Sequence, residues 1–280
     1  MTTPVPAEPQ TRAARRQALR AGARPLDAGA TAPRPRVVVV AATVVTGLLL
    51  SGAAASGEHL LGVAALVAAG LVVAVGWPRL VRSPSPWGAS VVLAVTALAL
   101  GVALALRDAE PFLEHVPAAL ASGIIAMCLH PLVQASARLD LARSLTGTGL
   151  GVLVIGGSAL MLSTGFAGTS GPPVVVGISV AVAALADLVL ERPRTSAWMF
   201  PVGMLVGGVV GVLAHLVLSG ELSAWPALLG VTACGTAVAL RRVLAQEPAI
   251  DGLPGAVAAG VASVLVVAPL VHLVARLPLA

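Results

Sequence analysis

Few side chains in this 280-residue chain are able to do chemistry, and most of them stand in apolar surroundings. His130, Gln134, Asp187, His215 and His272 fall within long hydrophobic runs. Polar groups at such depth in hydrocarbon are costly, so they persist where they line a pathway or meet a partner. Imidazole exchanges protons near neutral pH, which makes the three histidines candidates for a proton or ion path. His130 and Gln134 are four residues apart, hence on one helical face, where they can line a cavity together. The simpler alternative for His130 is a neutral ring hydrogen-bonded to the next helix. Pro131 and Pro269 lie inside apolar runs rather than at their starts; each deletes a backbone hydrogen bond and favours a kink. His130, Pro131, Gln134, His215, Pro269 and His272 therefore compose the expected substrate or ion pathway. Asp187 shares a face with Glu191 beside Arg192 and Arg194, which reads as a surface ion-pair cluster.

A second group lies between the runs. Glu58, His59, Glu114 and His115, with Asp108, Glu110 and Glu221 nearby, gather carboxylates and imidazoles on one side, a ligand set suited to a divalent cation or a proton relay. Their spacing matches no metal motif, and no metal site is expected. HExxH, Walker A and dinucleotide-binding glycine motifs are absent, as are the spaced aspartates that two-metal phosphoryl chemistry needs. Ser158 and His215 are the only serine and base that suggest a buried hydrolase, and nothing around them supports it. No catalytic residue and no cofactor is expected.

The elements that position these residues are transmembrane. Hydrophobic residues make up 58% of the chain and charged ones 10%, with a mean hydropathy of +0.97, the inverse of a soluble domain. Nine apolar runs, at about 37–57, 60–78, 87–106, 116–137, 146–167, 172–190, 198–219, 222–240 and 253–275, each approach the ~20 residues that cross ~30 Å of hydrocarbon. Closed backbone hydrogen bonding is obligatory there, so the fold class is an all-α bundle. All 17 cations are arginine, and pairs of them occupy every even-numbered connection: Arg79 and Arg82, Arg138 and Arg143, Arg192 and Arg194, Arg241 and Arg242. The other connections and the C-terminal end hold only Arg107 and Arg276. By the positive-inside rule the N-terminus is cytoplasmic and the C-terminus outside. The same placement explains the pI of 11.1 without nucleic acid as a partner.

Residues 1–36, with seven arginines and many prolines and alanines, read as a disordered basic cytoplasmic tail, and 37–280 as the transmembrane domain. Trp77, Trp87, Trp198 and Trp225 stand at predicted span ends as an interfacial belt. Cys128 and Cys234 fall mid-run as small core residues. Gly203, Gly207 and Gly211 form a small-residue strip for close helix packing, within the chain or at a homodimer seam. The strings HPLVQ and APLVHL suggest an inverted repeat in which spans one to four correspond to six to nine.

This organisation is consistent with three function classes: a permease or carrier for a small solute or lipid, a non-catalytic scaffold of an envelope-assembly complex, and an intramembrane enzyme on a lipid-linked substrate. The first is the reading adopted. The bilayer is the expected surrounding, a bacterial cytoplasmic membrane the expected location, and a membrane-protein partner or second copy the expected company.

Overall fold

The computed structural model describes residues 34–107, 111–134, 140–166, 171–189 and 198–276. Among these residues the secondary structure is helical and no strand occurs. The helices are α1 (Arg34–Ala55), α2 (His59–Leu80), α3 (Pro86–Ala105), α4 (Val116–Val133), α5 (Leu141–Phe166), α6 (Gly171–Val189), α7 (Met199–Ser219), α8 (Trp225–Leu244), α9 (Leu253–Leu265) and α10 (Ala268–Ala275). A single 3-10 turn, Pro248–Asp251, precedes α9. Among the described residues nine segments are long and apolar enough to cross a membrane, the last being α9 and α10 together. The chain is thus a multi-pass membrane protein whose exposed apolar faces meet lipid. The tail over 1–33 lies outside the described residues, as do Arg138, Glu191, Arg192 and Arg194.

Prolines start several helices because a first-turn residue has no helical use for its N–H: Pro86 in α3, Pro117 in α4, Pro226 in α8 and Pro254 in α9. Gly220, at φ +75°, takes the left-handed conformation that ends α7. Some boundaries differ from the apolar runs. α5 starts at Leu141, five residues early, because polar residues at an interface can extend a helix beyond its apolar stretch. α8 starts at Trp225 rather than 222, behind Pro226.

The ninth span is the centre of the bundle. In α9, Gly255, Ala256 and every residue from Ala258 to Leu265 are buried. It packs on α1 and α2 and touches α8 and α5. The Thr43 hydroxyl ties α1 to it, lying 3.2 Å from the Gly260 carbonyl and 3.3 Å from Ser263 Oγ. The span is interrupted at Val266 and Val267, which keep right-handed helical dihedrals (φ −64°, ψ −17° and φ −77°, ψ −23°). Helix α9 ends at Leu265 and α10 begins at Ala268, because Pro269 has no N–H to give the Leu265 carbonyl.

At the periphery, α4 and α7 bury only narrow stripes. That of α7 is Gly203, Gly207, Gly208 and Gly211, which face α8. A Cβ on Gly207 would stand 2.5 Å from the Gly230 carbonyl oxygen and 2.6 Å from Cys234 Cβ, so the two backbones touch where both residues are glycine. A similar crossing joins α1 to α6, where a Cβ on Gly47 would lie 2.7 Å from the Gly177 carbonyl oxygen. The pairing lacks the symmetry of the expected repeat. The ninth span packs on α1 and α2, whereas α4 packs on α3 and α5 and not on α6 and α7.

Candidate functional site

The connections alternate between two faces, one bearing Arg79, Arg82, Arg143, Arg241 and Arg242, the other Arg107 and Arg276. The pathway residues divide between them. His130 and Gln134 belong to the arginine-bearing face, not to mid-depth. His130 is three residues from the end of α4, and Gln134 caps that helix in extended backbone (φ −105°, ψ 114°). The Gln134 N–H still donates to the His130 carbonyl at 3.0 Å, so the helical spacing holds and both side chains lie against Gly88. They remain neighbours through α3: the Ser85 hydroxyl donates to Gln134 Oε1, and Gly88 leaves the space that the His130 ring occupies. Pro131 sits in the last turn of α4, where its missing N–H produces no break.

Pro269 and His272 stand together on the opposite half of the bundle, beside α5. A Cβ on Gly157 would be 3.3 Å from Pro269 Cγ, and Ser163 Oγ lies 2.9 Å from His272 Nδ1. His215 is elsewhere, with Nε2 3.2 Å from Ser219 Oγ and its ring edge-on to Trp225 at a centroid distance of 4.7 Å. Its contacts are thus local to α7 and α8, while the Ser158 hydroxyl donates to the Ile155 carbonyl at 2.5 Å. Of the outer acids, Glu114 pairs with Arg107, and Glu58 precedes α2 without a side-chain capping bond. His59 begins α2, and His115 adjoins α4. Among the described residues no three His, Cys, Asp or Glu side chains converge as a metal would need. Asp108 and Glu110 lie outside those residues.

No family profile, characterised sequence or solved structure matches this chain.

The most buried charged feature is one the sequence assigned otherwise. Asp187 on α6 pairs with Arg241 on α8, Oδ2 accepting from Nε at 3.0 Å and from Nη2 at 2.7 Å. Their side chains are 13% and 6% exposed, so this is an interhelical ion pair in low dielectric rather than a surface cluster. Arg241 therefore serves as a structural partner as well as a topological charge. Their placement in the last turns of two spans was a signal that could have matched them across 54 residues. Two further assignments change. Trp77 is 3% exposed and donates Nε1–H to the Gly147 carbonyl at 2.9 Å, joining α2 to α5 instead of lying in an interfacial belt. Cys128 is exposed on α4, while Cys234 is fully buried against Gly207.

The arrangement therefore offers an interrupted central span with a Ser163–His272 bond beside the interruption, and a locked ion pair near the arginine-bearing face. An apolar cleft at the opposite face is lined by Leu50, Ala53, Leu66, Met161, Leu162 and Pro173, among others.

Proposed function

We propose that the chain is a bacterial cytoplasmic-membrane permease or carrier for a small solute or lipid, with its N-terminus in the cytoplasm and its C-terminus outside. One observation carries this reading: the most enclosed span is discontinuous at Val266–Val267. Both residues stay in the right-handed helical region, so the interruption is a local loss of helical hydrogen bonding before Pro269, and carriers place helix interruptions at the substrate path. Pro269, His272 and Ser163 adjoin that break, and the apolar cleft at the same half suits a hydrophobic portion of the cargo. Orientation rests on the arginine distribution.

The scaffold reading draws on the close packing and on the wide apolar flanks of α4 and α7. An enzyme acting on a lipid-linked substrate would need His130 and the outer acids in one cleft, and they stand at opposite ends of their spans.

The deciding experiment places a single thiol at the break. In a Cys128→Ala, Cys234→Ala background, Val266→Cys is treated with a membrane-impermeant thiol reagent in vesicles. The carrier reading expects labelling, because water must reach the break in some state of the cycle. Reaction after denaturation alone would discard that reading in favour of a scaffold. A C-terminal reporter active outside the cell checks orientation.

A further inference from the structure

We infer a binding site for an oxyanion, a phosphate or carboxylate group, at the arginine-bearing ends of α2, α3, α4 and α5, separate from the break in the ninth span and independent of the carrier reading. Buried polar atoms in proteins almost always have partners, so those without them mark a place where something else binds. Among the described residues Ser83 Oγ, His130 Nε2, Ser144 Oγ and Thr148 Oγ1 are buried with no hydrogen-bond partner and lie at this one end of the bundle, whereas Ser179 Oγ on α6 and Arg241 Nη1 on α8 lie elsewhere. Ser83, Ser144 and Thr148 are 6%, 1% and 2% exposed.

Helical geometry brings them together. Ser144, Thr148, Gly151 and Ile155 form one face of α5 by their spacing of four, three and four. Its upper part is packed against α2 and α3, since a Cβ on Gly151 would lie 2.8 Å from Leu93 Cδ2 and 3.0 Å from Trp77 Cδ1. Between them Gly147 abuts Val81 and accepts from Trp77. Followed downward by one and two turns, the same face presents Thr148 and Ser144 to the α2–α3 connection, which holds Ser83 and Ser85. Ser85 is bonded to Gln134, which stands with His130 over Gly88. Arg82 in that connection has φ +51°, a left-handed conformation unusual for a residue with a side chain and of the kind stored at binding sites.

The charge pattern selects the ligand. Hydroxyls and an imidazole supply hydrogen-bonding groups without any carboxylate of their own. Helices α3 and α5 both begin here, directing free N–H groups and the positive ends of their dipoles towards the site. Exposed Arg79, Arg82 and Arg143 lie at the same helix ends, and Asp140 is an acid there, its Oδ1 accepting from the Arg143 backbone N–H at 3.4 Å. The arginines outnumber the Asp140 carboxylate, and an oxyanion finds hydroxyl and N–H donors.

The test uses the full chain and follows Trp77, whose indole lies against the site. Inorganic phosphate is titrated into detergent-solubilised protein. In parallel, the protein is reconstituted in nanodiscs of pure phosphatidylcholine or of phosphatidylcholine with increasing phosphatidylglycerol. Saturable change with phosphate identifies a soluble oxyanion, and change with phosphatidylglycerol alone identifies a lipid headgroup; either supports the site. Ser144→Ala with Thr148→Val should weaken that response at least tenfold while the ligand-free melting temperature stays put, since the removed hydroxyls have no protein partner to lose. No saturable response to either probe, the result if ordered water alone fills the space, overturns the proposal. So does a response that the double variant leaves unchanged.

Discussion

Removing Asp187 should destabilise the bundle far more than any surface charge would. Both of its bonds to Arg241 end on one oxygen, and the guanidinium is 94% enclosed, so Asp187→Ala strands a full positive charge among α6 and α8 with Nη1 already lacking a partner. Breaking a buried pair by deleting one member costs about 3–5 kcal/mol. At roughly 2–4 °C per kcal/mol for a chain of this size, the apparent melting temperature should fall by about 6–20 °C. Asp187→Asn keeps the shape and an acceptor and loses only charge assistance, so its cost should be smaller, about 1.5–3 kcal/mol. Replacing both members, Asp187→Leu with Arg241→Met, removes the desolvated charges together and should return most of the loss. The assay is thermal unfolding of the purified protein followed by tryptophan fluorescence, run as a double-mutant cycle. Single substitutions costing under about 1 kcal/mol would refute the reasoning, and so would a double variant as unstable as the two singles combined.

Other substitutions test the packing. Gly207→Ala drives a methyl against the Gly230 carbonyl and should cost about 1–3 kcal/mol in the same melting assay, whereas Gly52→Ala, with nothing within 4 Å of the new Cβ, should be neutral. Trp77→Phe loses the 2.9 Å bond to Gly147 and should lower stability by about 1 kcal/mol; Trp87→Phe, at 76% exposure, should not. A lipid-soluble maleimide should label Cys128 in folded protein and reach Cys234 only after denaturation; equal labelling of both would contradict the α7–α8 crossing.

What hydropathy could reveal here was the number of spans, because a run of ~20 apolar residues has one length-matched solution in a bilayer. It could not reveal which face of each span meets which neighbour. A soluble helix advertises its buried side by an apolar stripe, but α9 is apolar all round, and the sides of α4 facing lipid and protein are chemically alike. Hence Trp77 at a span end resembled an interfacial anchor although it is interior, and Cys128 at mid-run resembled core although it is exposed. Glycine was the exception, since the small residues of α7 marked a close approach without naming α8 as the partner. Asp187 was visible as an intramembrane acid, but its counter-ion is 54 residues away and was hidden among the other arginines that flank the spans. The break in the ninth span was partly legible from Pro269, whereas Pro131, the same residue type, leaves α4 intact because it falls in the last turn.

The central position of α9 has a consequence for biogenesis. The helix that fills the middle is translated after α1, α2, α5 and α8, on which it packs, and the Thr43 hydroxyl, bonded within α1 to the Val39 carbonyl at 2.9 Å, gains a second carbonyl 217 residues further along. Until Leu253–Leu265 emerges, the inner sides of α1 and α2 have no permanent occupant, so the nascent bundle holds an open slot with a hydroxyl facing it. Completion of the fold is thereby tied to completion of the ninth span. A chain that stops before it has an unfilled centre, with the inner sides of α1 and α2 left without their packing partner.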